Sequence, residues 1–204
     1  MKTMARYGMI IDLKRCIGCH TCTIACKIEN STRPGIFWNK VADWEEGTYP
    51  LVSRHFLPTL CMHCDNPCCV EVCPTGASYQ REDGIVLVDY DKCVGCGYCI
   101  VACPYGARYR NEERRGYFGA ELTPNEELGY KQHQVGVTEK CTFCVKRVEA
   151  GEEPACVQAC PTEARIFGDL ADPYSKVCQL IRSRHGFQLL QELDTGPAVY
   201  YLSE

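Results

Sequence analysis

Cysteine dominates this sequence and falls into regular groups. The chain of 204 residues contains 18 Cys, and such a density is typical of disulfide scaffolds or of thiolate metal sites. Sixteen of them form four motifs of four, numbered one to four in chain order. Motif one is Cys16, Cys19, Cys22 and Cys26; motif two is Cys61, Cys64, Cys69 and Cys73; motif three is Cys93, Cys96, Cys99 and Cys103; motif four is Cys141, Cys144, Cys156 and Cys160. Cys68 and Cys178 are left over.

The spacing of the motifs separates the metals that they could hold. Motifs one and three read C-x2-C-x2-C-x3-C, the other two are expanded forms, and Pro follows motifs two, three and four. Three thiolates at this step suit a loop curled around one iron–sulfur cubane, and bacterial ferredoxins use the same run. Zinc sites instead bring two C-x2-C pairs to one ion. The spacing favours iron–sulfur clusters over a zinc-stabilised interaction module, and we expect a helix to begin after the third Cys.

Composition excludes several classes of protein. The 22 basic residues against 26 acidic ones give a formal charge of −4, and no basic cluster suggests a nucleic-acid partner. No apolar run reaches the roughly 18 residues of a membrane span. Asp12 interrupts the N-terminal apolar segment, so we expect no signal peptide, which disfavours a disulfide scaffold. No phosphate-binding loop, nucleophile–base pair or HExxH motif is present, so we expect no catalytic site.

The spacers between motifs predict an α+β fold of two bacterial-ferredoxin-like units, each with two clusters, plus polar insertions. Residues 77–80 and 85–88 read as two strands around an Asp83-Gly84 turn. This short hairpin makes motifs two and three one compact inner unit, residues 56–110. By elimination, motifs one and four form the outer unit.

The outer unit is predicted from residues 1–55 plus 135–204. Residues 7–11 and 164–167 are strand-like and lie beside motifs one and four. In the tail, residues 175–185 have helical spacing and residues 199–202 are strand-like. Residues 111–134 are polar and predict a surface insertion, either a solvated loop or a loop that docks a partner.

The segments around the motifs resemble one family. They include Cys16-Ile17-Gly18-Cys19, Cys61-Met62-His63-Cys64, Val72-Cys73-Pro74-Thr75-Gly76-Ala77, Ala102-Cys103-Pro104-Tyr105-Gly106, Lys140-Cys141-Thr142-Phe143-Cys144 and Phe167-Gly168-Asp169-Leu170. Together they are similar to the four-cluster electron-transfer subunits of molybdopterin oxidoreductases, such as the dimethyl sulfoxide, polysulfide, thiosulfate and respiratory arsenate reductases. The likeness covers nearly the whole chain and is specific to the subunit type, not to the substrate.

The resemblance implies four [4Fe–4S] clusters with ligands exchanged between motifs. One cluster takes Cys16, Cys19, Cys22 and Cys160, a second takes Cys141, Cys144, Cys156 and Cys26, a third takes Cys61, Cys64, Cys69 and Cys103, and the fourth takes Cys93, Cys96, Cys99 and Cys73. The family spacing selects Cys69 over Cys68. The chain departs from the family where Lys27, rather than Pro, follows Cys26.

The resemblance also implies a function and partners. The chain would relay single electrons between a quinol-linked or other donor and a large molybdopterin-containing catalytic subunit, and a membrane anchor subunit is allowed. Relatives are often carried across the membrane by a partner's signal, so we expect a peripheral position on the extracytoplasmic (periplasmic) face, with the cytoplasm as the alternative. The equivalent subunit of a hydrogenase or formate dehydrogenase is the alternative within the same chemistry.

Basic residues directly precede the first Cys of three motifs: Arg15, Lys92 and Lys140. They either offset the negative charge of a cluster and raise its potential or are ordinary solvated side chains. Motif two has Leu60 at this position, which predicts that its cluster is among those of lower potential.

Overall fold

The computed structural model describes residues 4–113 and 115–203, which form a mixture of short helices and strands. The strands are β1 Tyr7–Asp12, β2 Asn39–Thr48, β3 Leu51–Leu60, β4 Ser78–Gln80, β5 Val86–Val88, β6 Tyr109–Arg110, β7 Thr138–Glu139, β8 Arg165–Asp169 and β9 Val199–Leu202. The helices are α1 Thr21–Asn30, α2 Cys68–Glu71, α3 Tyr98–Ala102, α4 Pro124–Gly129, α5 Val145–Glu149, α6 Ala155–Gln158 and α7 Lys176–Ser183. The predicted α+β class is therefore correct. In the described ranges no helix approaches the length or apolar character of a membrane span.

A three-stranded sheet joins the two ends of the chain. Strand β1 lies in its centre, antiparallel to β8 and parallel to β9. The apolar run Met9, Ile10 and Ile11 is fully buried because both faces of β1 are covered. Ile10 packs with Val177 of α7, whereas the other two side chains face a core that contains cysteines. The sheet therefore brings motif one, just after β1, next to motif four, just before β8.

The segment between motifs one and two forms a long antiparallel hairpin, β2–β3, which the sequence analysis did not anticipate. Its register runs from Asn39↔Leu60 at the root to Thr48↔Leu51 at the tip. The tip is exposed, with Leu51 84% accessible to solvent. Nearer the root, the ring of Phe56 packs directly against Gly18 in the loop of motif one. The hairpin is thus anchored to the first cysteine loop.

The predicted hairpin between motifs two and three is present as β4–β5. Its register pairs Ser78 with Val88 and Gln80 with Val86. At the turn Gly84 has a φ of 81°, and the carboxylate of Asp83 accepts a hydrogen bond of 3.1 Å from the amide of Ile85. The Asp-Gly signal therefore gave the correct turn.

The 111–134 segment is more ordered than a solvated loop. Helix α4 begins with a capping box between Thr123 and Glu126. Asn111 and His133 at its two ends are buried, and both hydrogen-bond the carboxylate of Glu139, at 3.1 and 2.7 Å. The segment is consequently fastened to the body of the protein at both ends.

Candidate metal centres

Motifs one and three share a local structure in which a loop turns into a helix at the third cysteine. In motif one, His20 has a φ of 58° and α1 begins at the next residue, so Cys22 lies in its first turn. In motif three, Gly97 has a φ of 80° and precedes α3, whose second residue is Cys99. In both motifs the residue with positive φ comes before the third Cys, and the helix begins one residue before that Cys. The expectation of a helix that starts after the third Cys is therefore wrong.

Cysteines of motifs one and four meet around one small cavity. Cys16, Cys19, Cys22 and Cys160 all line this cavity of about 20 Å³. Burial raises the pKa of the Cys16 thiol, and the neighbouring Cys22 and Cys160 raise it further. Two segments far apart in sequence therefore supply four sulfurs to one place.

The last cysteine of motif one faces the rest of motif four. Burial raises the pKa of Cys26 well above its usual value, and Cys141, Cys156 and Cys144 add to this rise through their charges. Asn30, one helical turn after Cys26, donates long hydrogen bonds to the sulfurs of Cys26 and Cys144, at 3.6 and 3.9 Å. Helix α1 thus carries one sulfur away from the first cavity and into the motif-four group.

Within residues 56–110, Cys64 lies near Cys61, Cys69 and Cys103. Burial raises the pKa of Cys64 to about 12, with smaller contributions from the charges of these three thiols. Among the described residues we find no comparable convergence of Cys73, Cys93 and Cys96. Cys99, of the same motif as Cys93 and Cys96, packs in a small buried cluster with Cys69 and Val86, as α2 packs on α3.

The chemistry of this donor set fits iron–sulfur clusters. All 18 Cys lie within the described ranges and none forms a disulfide, which excludes the disulfide scaffold. Backbone amides of Phe143, Ser78 and Ala164 donate to the sulfurs of Cys141, Cys73 and Cys160 at 3.4, 3.3 and 3.3 Å. Amides aimed at sulfur stabilise thiolate ligands of such clusters. Buried thiolates also require a nearby cation, which cluster iron supplies when it binds.

Comparisons with known proteins agree with this chemistry. Residues 52–118 and 123–170 match the family described as 4Fe-4S dicluster domain, and residues 13–33 match the 4Fe-4S binding domain. The iron–sulfur subunit of arsenate respiratory reductase from Shewanella sp. strain ANA-3 is 44% identical, over 97% of this chain and 96% of its own length. One chain of the polysulfide reductase of Wolinella succinogenes is 40% identical over 96% of this chain and 93% of its own length. The electron transfer subunit of thiosulfate reductase from Salmonella typhi is 42% identical over 81% of this chain and 77% of its own length.

The protein belongs to the iron–sulfur electron-transfer subunits of respiratory reductases. The membership confirms the predicted function class, a subunit that carries electrons for an oxidoreductase complex, and the presence of clusters of the 4Fe-4S type. It also decides against the zinc-stabilised interaction module.

The structure of the iron–sulfur subunit separates the two alternatives for the cations that precede the motifs. Of the three that precede a motif, Arg15 and Lys92 have side chains 54% and 64% exposed; they pair with Glu163 and Asp89, and Arg15 also pairs with the buried Asp12. Only Lys140 is buried; its ammonium group donates hydrogen bonds to the carbonyls of Val86 and Cys141, the latter at 2.6 Å. The first two are thus solvated side chains, and the third is positioned to act on sulfur.

Two arginines that the sequence analysis missed lie directly against cysteines. Arg108 donates a 3.0 Å hydrogen bond to the sulfur of Cys69. Although burial opposes its charged form, the thiolates of Cys69, Cys99 and Cys61 raise the pKa of Arg108. Motif two therefore has a cation after all, and the reason for expecting a low potential at its cluster no longer holds.

The second arginine, Arg165, has the same setting beside the cysteines of motifs one and four. It approaches the sulfur of Cys156 at 3.8 Å and hydrogen-bonds the side chain of Asn39 at 2.7 Å. Burial again opposes its charge, but Cys156 and Cys22 raise the pKa of Arg165. The only sequence signal for either arginine is its position five residues after the last Cys of motif three or motif four.

The histidine inside motif two has a packing role. His63 is fully buried, and its Nδ1 accepts a 3.0 Å hydrogen bond from the amide of Val86. Its ring stacks on Phe143 with 3.8 Å between centroids. Burial, followed by the charges of Lys140 and two arginines, lowers the pKa of His63 well below its usual value. The imidazole is therefore neutral.

Proposed function

We propose that this chain holds four [4Fe–4S] clusters in a row and relays single electrons to or from a molybdopterin-containing catalytic subunit. The reductase would be of the arsenate, polysulfide or thiosulfate type, and the other end of the row would face a quinol-linked or other redox partner. When bound, such clusters accept and release one electron each. The chain contributes the ligands, the low-dielectric surroundings and the hydrogen bonds to sulfur.

The proposed ligand sets are those implied by the family. They are Cys16, Cys19, Cys22 and Cys160 for cluster one, Cys26, Cys141, Cys144 and Cys156 for cluster two, Cys61, Cys64, Cys69 and Cys103 for cluster three, and Cys73, Cys93, Cys96 and Cys99 for cluster four. The single observation that carries this assignment is that Cys160 lines one cavity with three cysteines of motif one. The neighbours of Cys26 and Cys64 give the next two sets the same support.

The proposed order of the row rests on electrostatic and packing interactions between sets. The thiol of Cys156 responds to the charge of Cys22, which links clusters one and two. Cys141 responds to Cys61, which links clusters two and three. Cys69 and Cys99 pack together, which links clusters three and four. An electron would therefore pass along the sets in the order one, two, three, four.

We also propose the division of the chain made from its sequence. Residues 1–55 and 135–204 would form the outer unit, 56–110 the inner unit and 111–134 an insertion. Pairing of β1 with β8 and packing of α1 on α6 support the outer unit. Pairing of β4 with β5 and packing of α2 on α3 support the inner one.

The two ends of the row are where partners would dock. Of the 18 Cys, all in the described ranges, Cys19 and Cys96 are the two that are exposed, and they belong to clusters one and four. Ile17 is 58% exposed near the first, and Val94 and Val101 are 68% and 89% exposed near the second. We propose that one end binds the catalytic subunit and the other a redox partner or membrane anchor, on the periplasmic face of the cytoplasmic membrane.

Metal analysis of the anaerobically isolated full chain tests the cluster assignment. About sixteen iron and sixteen acid-labile sulfide per chain are expected. Cys69→Ala should remove about a quarter of the iron, whereas the matched control Cys68→Ala should remove none, because the Cys68 thiol donates its hydrogen bond to the carbonyl of Ala102. A colourless protein with about four zinc ions, or equal iron in the two variants, would contradict the assignment.

A second experiment tests the partners and the side of the membrane. An affinity tag on this chain in its native host should capture a large molybdopterin-containing subunit, and the complex should appear in the periplasmic or membrane fraction. Capture of a hydrogenase or formate dehydrogenase large subunit would replace the proposed reductase by that alternative.

A further inference from the structure

Three buried cations lie among the cysteines without a carboxylate partner. Arg165, Lys140 and Arg108 are 3%, 1% and 4% exposed. A fully buried Lys or Arg normally pairs with an acidic side chain because desolvation of its charge is costly. Within the described ranges these three form no such ion pair; their polar contacts are sulfurs, carbonyls and neutral side chains. Negative charge on the cysteine sites must therefore balance them.

Each cation lies between two neighbouring ligand sets of the proposed row. The guanidinium of Arg165 interacts with Cys156 of set two and Cys22 of set one. The ammonium of Lys140 donates hydrogen bonds to the carbonyl of Cys141 in set two and to that of Val86, which packs in one buried cluster with Cys69 of set three. The row has three junctions between neighbours, and the first two each hold one buried positive charge.

The third junction is occupied in the same manner. Arg108 donates to the sulfur of Cys69 in set three and interacts with Cys99 of set four. Its other arm donates a 2.7 Å hydrogen bond to the hydroxyl of Ser78, which holds the guanidinium in place. Arg165 is held similarly by Asn39. Both arginines are thus held in place by neutral side chains, so their positive charge is available to interact with the sulfurs.

We propose that Arg165, Lys140 and Arg108 are positioning residues that set the reduction potentials of the two clusters on either side of each junction. This inference rests on the proposed function. Reduction adds a negative charge to a cluster, and a fixed cation in a poorly solvated site stabilises that charge. A cation shared by two neighbouring clusters raises both reduction potentials together. The difference between the two potentials therefore stays small, whichever way the electron moves.

Neutral variants test the inference by potentiometric EPR on the anaerobically isolated full chain. Arg165→Gln should lower the potentials of clusters one and two, Lys140→Gln those of two and three, and Arg108→Gln those of three and four. Each shift should reach at least a tenfold change in the reduction equilibrium, which is about 59 mV for one electron. The other two clusters in each variant should keep their potentials.

Arg15→Gln and Lys92→Gln are the matched controls. Each removes a cation directly before the first Cys of a motif, as Lys140→Gln does, but from an exposed position. Screening by water should leave all four potentials unchanged. A shift as large as that of Lys140→Gln would overturn the role assigned to burial.

Charge-conserving variants guard against loss of folding. Arg108→Lys and Arg165→Lys keep the charge, but at these two sites the compact ammonium lacks the fork with which the guanidinium binds a neutral side chain and a sulfur at once. We expect the two adjoining potentials to separate while their mean changes little. If fully loaded Lys and Gln variants all keep wild-type potentials, the inference is wrong and the cluster assignment stands. Wild-type protein without iron would instead overturn the proposed function.

Discussion

The loops that hold the first two cysteines of motifs one and three should tolerate no side chain at their central glycines. Gly18 and Gly95 occupy the same place in the two motifs and have the same φ of 66°. A Cβ built on Gly95 would lie 2.0 Å from the carbonyl oxygen of Gly136, whereas one on Gly18 would lie 2.2 Å from the ring of Phe56. Gly97, also with positive φ, has open space around it. The three glycines therefore separate backbone strain from steric collision.

The structure ranks the costs of substitution by Ala. Any of the three pays about 1–2 kcal/mol for a left-handed Ala. At Gly97 nothing is added. At Gly18 the collision is with a side chain, and rotation of the Phe56 ring relieves part of it. At Gly95 the obstacle is the backbone carbonyl of Gly136, so the backbone around Gly136 must move. This overpacking adds about 1–3 kcal/mol to the cost of the substitution. Gly95→Ala should therefore be the most damaging of the three.

Cluster release under denaturing conditions measures the difference. Because cluster loss makes unfolding irreversible, the rate at which the visible absorbance disappears in anaerobic guanidinium is the appropriate quantity. Gly95→Ala should bleach about tenfold faster than Gly97→Ala, with Gly18→Ala between them. If Gly95→Ala and Gly97→Ala bleach at the same rate with equal iron content, the carbonyl of Gly136 does not constrain this loop and the reasoning fails.

Two further predictions concern carboxylates that hold the periphery. Hydrogen bonds from the amides of Thr123 and Tyr117 lower the pKa of Glu126 to about 2, so its stabilising effect is present above the unfolded pKa near 4.5 and is lost as pH falls towards 2. Glu126→Gln should speed amide exchange in 117–130 at pH 7, and its difference from wild type should shrink below about pH 5. Asp12, 2% exposed, pairs with Arg184 beyond the end of α7. Arg184→Met should bleach about tenfold faster than wild type in anaerobic guanidinium, whereas Arg182→Met, removing an exposed neighbour, should bleach at nearly the wild-type rate; equal rates would contradict the pairing.

The parts of the fold predicted from sequence are those with a local signal. The Asp83-Gly84 turn fixed the β4–β5 hairpin, and the apolar run of β1 and the spacing of α7 gave those elements nearly to the residue. The β2–β3 hairpin gave no such signal because its outer half buries neither face, so its residues do not alternate between apolar and polar. Its register depends on cross-strand pairs such as Trp44 with His55, which only the folded chain brings together.

The same reasoning explains which site residues were found. Ligand cysteines are recognisable because a cubane needs its sulfurs at short, regular steps. Arg108 and Arg165 act across the fold, on Cys69 and Cys156, and their spacing carries no such requirement. The only sequence signal for Lys140 is that it directly precedes the first Cys of a motif. The exposed Arg15 has the same signal. Adjacency in sequence therefore could not separate the buried Lys140 from the two exposed cations, and it carried no information on the two arginines that contact sulfur.

With the proposed ligand exchange, the nested order of the motifs costs the chain little. Cluster two would join Cys26 to Cys141, 115 residues apart, whereas cluster three would join Cys61 to Cys103, 42 residues apart. Loop-closure entropy grows only with the logarithm of length, so the longer closure costs about 1 kcal/mol more. Formation of the inner unit first shortens the remaining loop further. Insertion of one complete two-cluster unit between the halves of another is therefore compatible with stability, and it places Cys141 and Cys61 in one buried core, because the returning chain must pass beside the unit that it encloses.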